Sequence, residues 1–196
     1  MISKLGFNDT KDILKKYGVP VPDGGIAKTE HEAVETAKQI GFPIILKSSQ
    51  KEATDASVLA SPDEVRQEYL RISQGAADGQ EIIVQKHAEH GMEAIIGMTR
   101  DPELGPIMTF GLSGVFAFIK DVSSRIGPVS HDEAIKMIKE TEAYAIIKGD
   151  IGSIADVIAK VSTLAMENEN IKGLEINPLF IYESDVLAVD ILIMAE

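Results

Sequence analysis

Apolar and polar residues alternate along this chain with two periods, one typical of helices and one typical of strands. Apolar residues at helical spacing predict five helices, at residues 9–17, 30–40, 62–74, 131–142 and 153–168. Three of these helices begin with a hydroxyl residue followed three positions later by a glutamate, which is the capping-box signature of a helix start. The three pairs are Thr29 with Glu32, Ser61 with Glu64, and Ser130 with Glu133.

Strands are predicted between the helices, at residues 44–47, 82–85, 93–99, 107–110 and 115–119, and a β-hairpin is predicted at the C-terminal end. Helices and strands do not alternate regularly, and the run of strands from 82 to 119 favours antiparallel pairing. We therefore expect an α+β fold rather than a doubly wound parallel sheet. The change from helix-rich to strand-rich sequence near residue 88 predicts two lobes, residues 1–88 and 89–196.

Polar residues interrupt the apolar strands of the C-terminal hairpin. If Glu183 and Ser184 form a two-residue loop, the register places Asn177 directly opposite Asp190, with their Cβ atoms about 5 Å apart. An amide oxygen beside a carboxylate can bind Mg²⁺, which takes the rest of its ligands from water and substrate phosphates. The alternative is a hairpin whose polar residues face solvent, because a register slip of one residue separates the pair.

Composition excludes several classes of function. The chain has a formal net charge of −12 and no cluster of Lys and Arg, which argues against nucleic-acid binding. It has no cysteine, which excludes disulfides, thiolate nucleophiles and cysteine-based metal sites. No apolar run approaches the roughly 20 residues needed to cross a bilayer. We therefore expect a soluble cytoplasmic protein that does not bind a membrane.

Several motifs together resemble one enzyme family. They are GFPIILK at 41–47, GMEAIIG at 91–97, GPIMTFGL at 105–112, KDV at 120–122 and EINPL at 175–179. This set closely resembles the ATP-grasp β subunit of the NDP-forming acyl-CoA synthetases. That group includes ADP-forming acetate–CoA ligase and, more distantly, succinyl-CoA synthetase. The resemblance covers nearly the whole chain and implies an ATP-grasp fold, with a nucleotide cleft between two lobes.

The resemblance also implies a reaction and its ligand contacts. Members of the family convert an acyl-CoA, phosphate and ADP to the acid, CoA and ATP, or the reverse, and a phosphohistidine carries the phosphoryl group between sites. The implied nucleotide contacts are Lys47 at the phosphates, Val84, Gln85 and Lys86 at the adenine, and Glu93 near the ribose or phosphates. Asn177 and Asp190 would hold the Mg²⁺ that accompanies ATP or ADP.

This chain departs from the family pattern at its phosphate loop. After the strand-end lysine the family usually has a segment resembling S-P-x-I-x-H-K-S/T-D-x-G-G-V, whereas residues 48–60 here read SSQKEATDASVLA, without glycine or histidine. Glycines let backbone N–H groups approach phosphates closely, so the usual phosphate cradle is degenerate. Residues 84–87, which correspond to the hinge beside the adenine, read VQKH where the family often has VQEM. Residues 115–121, VFAFIKD, lack the glutamate that the family typically has in this segment.

Two functional hypotheses follow. The chain has neither a Gly-x-Gly-x-x-Gly fingerprint nor a separate CoA-binding domain, so a complete ligase needs an α-type partner that carries the CoA site and the phosphohistidine. In the first hypothesis this chain is a working ligase subunit that binds Mg·ADP or Mg·ATP in such a hetero-oligomer. In the second it is a non-catalytic descendant that serves as a scaffold or as a nucleotide-responsive regulator.

Overall fold

Two antiparallel sheets form the framework of this computed structural model, which describes residues 1–48, 57–74, 81–113 and 121–196. The strand predicted at 115–119 lies outside the described residues. So does most of the 48–60 segment, for which the sequence predicts a degenerate phosphate loop.

The elements are named in chain order. The strands are β1 (Ser3–Lys4), β2 (Gly24–Ala27), β3 (Ile44–Ser48), β4 (Val58–Leu59), β5 (Ile82–Lys86), β6 (Met92–Asp101), β7 (Gly105–Leu112), β8 (Val122–Ile126), β9 (Ile171–Ile181), β10 (Val186–Ala188) and β11 (Ile191–Ala195). The helices are α1 (Phe7–Lys16), α2 (Glu30–Ile40), α3 (Pro62–Gln74), α4 (His131–Glu140) and α5 (Ile151–Glu167), and a 3₁₀ turn spans Glu142–Ile146.

The chain forms two compact units whose boundaries differ from the predicted lobes. The smaller unit is Pro22–Glu89, and the larger unit combines Met1–Val21 with His90–Glu196. Residues 1–21, which the sequence-based division placed in the N-terminal lobe, belong to the larger unit because Leu14 and Val19 are buried in its core. A local hydrophobic pattern shows that a helix needs an apolar partner, but it does not show which distant segment supplies it.

The smaller unit is a four-stranded sheet with two helices. Its strands have the order β2-β5-β3-β4, and each neighbouring pair is antiparallel. Helices α2 and α3 supply apolar side chains to its core, which also contains Ile44, Leu46 and Val84 from the sheet. The central strand β5 therefore has both of its edges paired.

The larger unit is built on the larger sheet. Among the described residues its strands have the order β1-β11-β9-β6-β7-β8, with β10 beside β9. Apolar residues of α4 and α5 share one core with residues of β6, β7 and β9 such as Ile96, Phe110 and Ile176. We call the opposite face of this sheet, which carries Glu93, Glu175 and Asn177, the outer face.

The structure confirms the three predicted helix starts. The hydroxyl oxygens of Thr29, Ser61 and Ser130 accept hydrogen bonds from the backbone N–H groups of Glu32, Glu64 and Glu133, at 3.1, 3.3 and 3.3 Å. Helix α4 ends at Glu140, two residues before its predicted end. There the hydroxyl of Thr141 donates to the carbonyl of Ile138, and the 3₁₀ turn follows.

The mixed α+β architecture expected from the sequence is confirmed. Four short or polar strands, β1, β2, β4 and β8, were not expected. Among the described residues, none of the helices combines the length and apolar character that a membrane-spanning helix requires.

Truncation of a buried side chain of α1 tests whether this helix belongs to the core of the larger unit. We expect Leu14→Ala to lower the free energy of unfolding by about 2–5 kcal/mol, because Leu14 is fully buried in that core. The same substitution at Leu70, which is 48% exposed in α3, should change stability by less than about 0.5 kcal/mol. Urea unfolding of both variants measures the difference. Equal effects would contradict the assignment of residues 1–21 to the larger core.

Candidate functional site

The C-terminal hairpin has the register predicted from its loop. The backbone N–H of Tyr182 donates to the carbonyl of Asp185 at 2.9 Å, so Glu183 and Ser184 form the two-residue connection. Further along, the N–H of Asn177 donates to the carbonyl of Asp190, also at 2.9 Å. The predicted pair of an amide and a carboxylate is therefore formed directly across two adjacent segments.

The side chain of Asn177 lies on the outer face of the larger sheet. Its neighbour Ile176 is fully buried in the core, whereas Asn177 is exposed. The amide Nδ2 of Asn177 donates to Oε1 of Glu175 at 3.1 Å. This bond uses the amide nitrogen, so the amide oxygen is the atom left to bind a cation. Glu175 lies in the EINPL motif but was not among the predicted site residues, because sequence spacing alone does not show which carboxylate orients the amide.

Glu93 lies on the same outer face, near the start of β6. It is paired with Phe180 on β9, and its carbonyl accepts a 3.0 Å hydrogen bond from the N–H of Ser113 at the end of β7. The Glu93 side chain is 30% exposed, and its carboxylate is 3.9 Å from Nδ1 of His90. Sheet pairing thus places Glu93, Asn177 and Asp190 on one surface of the larger unit.

The donor set on this surface suits Mg²⁺. Its oxygen atoms come from carboxylates and an amide, which are the ligands that this hard cation prefers. Among the described residues, no three His, Asp or Glu side chains converge closely enough to hold a metal by themselves. The binding of Mg²⁺ by the pair Asn177 and Asp190 stays a prediction.

The residues predicted to bind nucleotide in the smaller unit lie on β3 and β5. Lys47 is 8% exposed near the end of β3, opposite Ile83. Val84 is fully buried in the core and Gln85 is 3% exposed, and both are paired on two sides, with β2 and with β3. The contacts of these residues with a nucleotide stay predictions.

Lys86 holds two elements of the smaller unit together. Its Nζ donates to the carbonyls of Gly41 and Phe42, at 3.0 and 2.8 Å, just past the C-terminal end of α2. Its backbone N–H donates to the carbonyl of Asp23 at 2.7 Å. A lysine is well suited to this position because the end of a helix carries partial negative charge on unpaired carbonyls. A glutamate, which the family resemblance leads us to expect at this position, could not make these bonds.

Comparison with known proteins identifies the family. Residues 2–194 match the family model of the ATP-grasp domain. The chain belongs to the ATP-grasp family. It is 37% identical over 203 residues to the β subunit of ADP-forming acetate–CoA ligase I from Pyrococcus furiosus, an alignment that covers 93% of this chain and 88% of that subunit. The resemblance to these β subunits and the expected ATP-grasp fold are therefore confirmed.

Two further relatives are informative. ADP-forming acetate–CoA ligase II from Archaeoglobus fulgidus is 33% identical over 198 residues, which is 93% of this chain but only 29% of that longer protein. The structure of a dinucleotide-forming acetyl-coenzyme A synthetase 1 from Ca. Korarchaeum cryptofilum matches with a TM-score of 0.85 and 34% identity, covering 98% of this chain and 93% of that one. It contains coenzyme A and Mg-AMPPCP, and its phosphohistidine segment points towards the nucleotide-binding site.

The two hydrogen bonds that Lys86 donates to backbone carbonyls predict that this lysine stabilises the smaller unit. We expect Lys86→Met to lower the free energy of unfolding by about 1–2 kcal/mol, because two charge-assisted hydrogen bonds to carbonyls are lost. The matched control is Lys38→Met, since Lys38 is half-exposed on α2 and its ion pair with Glu35 is a surface pair worth little. Urea unfolding compares the two variants. A smaller loss for Lys86→Met than for Lys38→Met would refute the role.

Proposed function

We propose that this chain is the β-type subunit of an ADP-forming acyl-CoA synthetase, an acid–CoA ligase. The observation that carries this proposal is the placement of Glu93, Asn177 and Asp190 on the outer face, in a chain 37% identical to the Pyrococcus furiosus β subunit. The subunit binds Mg·ADP or Mg·ATP and exchanges a phosphoryl group with a phosphohistidine.

The residues have separate tasks in this proposal. Asn177 and Asp190 hold Mg²⁺, which supplies positive charge at the transferring phosphoryl group. Glu93 accepts hydrogen bonds from the ribose, since a carboxylate beside an anionic phosphate would be repelled. Lys47 neutralises the phosphates. Of the three hinge residues Val84, Gln85 and Lys86, only Lys86 has a partly exposed side chain that could contact the adenine, because Val84 is fully buried in the core and Gln85 is 3% exposed. In this proposal the phosphohistidine belongs to the partner, and this chain contributes positioning and charge neutralisation.

The remaining parts of the ligase come from elsewhere. The longer Archaeoglobus fulgidus ligase has about 70% of its length outside the region that this chain matches, as expected if the CoA site and the phosphohistidine lie there. For this chain we assign both to an α-type partner in a hetero-oligomer. Its location in the cytoplasm stays a prediction from composition.

A second candidate function rests on the sequence of the phosphate loop. Residues 48–60 have neither glycine nor histidine, and residues 115–121 have no glutamate. A chain that has lost phosphate-binding groups can keep its fold and act as a non-catalytic scaffold or nucleotide-responsive regulator. The two candidates differ in one measurable respect, because only the ligase subunit supports turnover with its partner.

The proposed magnesium pair predicts a metal-dependent affinity. Calorimetric titration of the chain with Mg·ADP should show binding that Asn177→Ala and Asp190→Ala weaken about tenfold or more, because each removes an oxygen ligand. Asp185→Ala is the matched control, since this exposed carboxylate lies at the hairpin tip and only its backbone carbonyl bonds to Tyr182. Binding that persists in both variants, or in EDTA, would refute the pair.

Turnover separates the two candidate functions. With the α-type partner, the chain should form ATP from acetyl-CoA, phosphate and ADP, and the Asp190→Ala variant should not. Tight partner binding without turnover, in a chain that binds Mg·ADP, would instead support the scaffold or regulator.

A further inference from the structure

One buried polar atom on the outer face has no role in the proposal above. Ser113 is only 6% exposed, and its Oγ has no hydrogen-bond partner among the described residues. Buried polar groups in native proteins are nearly always hydrogen-bonded, and an unpaired one indicates a missing partner such as a ligand or an ordered water. Ser113 is the one such side chain that the described part of the structure contains.

The pairing of β6 and β7 fixes the face on which Ser113 lies. Leu112 belongs to the core, so the next residue points to the outer face. The N–H of Ser113 donates to the carbonyl of Glu93 at 3.0 Å, which makes the two residues direct cross-strand partners, with Cα atoms about 5.5 Å apart. The Ser113 hydroxyl is therefore next to the carboxylate that we place at the nucleotide.

We infer that Ser113 and Glu93 together form a subsite for the two vicinal hydroxyls of the ribose, with Ser113 as the residue that distinguishes ribonucleotides from deoxyribonucleotides. This inference rests on the proposed function. A carboxylate only accepts hydrogen bonds, whereas a serine hydroxyl both accepts and donates. Such a pair matches a diol, whose hydroxyls donate to the carboxylate and exchange a hydrogen bond with the serine.

The chemistry of the pair disfavours the other polar parts of a nucleotide. A phosphate beside Glu93 would place two negative charges together without a cation between them. Asn177 lies on β9, two strands away from Ser113 at the end of β7, and is displaced by about two residues along the strand direction. These offsets separate the proposed cation site from Ser113 by roughly 12 Å. An extended nucleoside diphosphate can bridge this separation, with its ribose at Ser113 and its phosphates at the metal.

The proposed contact requires the Ser113 side chain to change rotamer, because its Oγ is buried. The backbone of Ser113 is held by its bond to Glu93, while the Cα–Cβ bond can rotate among three staggered rotamers. The observed rotamer buries the hydroxyl without a partner among the described residues. In the proposed subsite the hydroxyl turns towards the ribose, which supplies that partner.

Titration with ADP, 2′-deoxy-ADP and 3′-deoxy-ADP, each with Mg²⁺, tests this inference. The wild-type chain should bind ADP about fivefold more tightly than at least one deoxy analogue, the difference expected for one hydrogen bond. Ser113→Ala should lose that preference by weakening ADP binding alone, and Ser113→Thr, which keeps the hydroxyl, should restore it. Ser123→Ala is the matched control, because Ser123 is also buried but its hydroxyl is directed to Glu140.

Stability of the ligand-free chain provides a second readout. Removal of an unpaired buried hydroxyl should leave the unfolding midpoint of Ser113→Ala unchanged or raise it. A lowered midpoint together with an equal loss of affinity for all three nucleotides would show a structural role and overturn the inference. Unchanged discrimination in Ser113→Ala would overturn it as well. If the wild-type chain does not bind Mg·ADP at all, the proposed function fails, and this inference fails with it.

Discussion

The register of β9 is the constraint on which the candidate site depends. This strand is paired on one side with β6 and on the other with β10 and β11, so its position fixes residues on three neighbouring strands. Because successive side chains of a strand point to opposite faces, a slip of one residue would move Asn177 into the core and Ile176 to the surface. Burial of Ile176 and its neighbours in the core of the larger unit makes that slip costly. The hydrophobic core thus positions the polar site.

Features with a local physical cause could be predicted from the sequence. A capping box is a contact between residues three apart, and a two-residue loop determines the pairing of the strands that it joins. The starts of α2, α3 and α4 and the opposition of Asn177 and Asp190 therefore followed from sequence spacing alone. Strand β2, with two glycines among its four residues, has little intrinsic strand preference and forms because β5 offers it an unpaired edge.

The unpredicted parts of the site depend on distant contacts. Glu175 orients the amide of Asn177, Lys86 reaches carbonyls more than 40 residues earlier in the chain, and Ser113 lacks a partner. None of these properties is visible in residue spacing, since each depends on the direction of a side chain after the sheets have formed. The family resemblance predicts the positions of the site residues, whereas the contacts of Glu175 and Lys86 are visible only in the structure.

The charge of the outer face supports the proposed metal site. Glu93, Glu175 and Asp190 bring three carboxylates to this surface, and the paired positions around them, Ile95, Gly97, Thr109, Gly111 and Leu192, include no lysine or arginine. A nucleoside diphosphate is itself an anion, so its phosphates are repelled unless a cation lies between. In the proposed function, Mg²⁺ at Asn177 and Asp190 would turn that repulsion into attraction, while the acceptors at Glu93 would suit neutral hydroxyls. The proposed division between a metal-bound phosphate end and a hydroxyl-binding ribose end would thus follow from the distribution of charge on one sheet face.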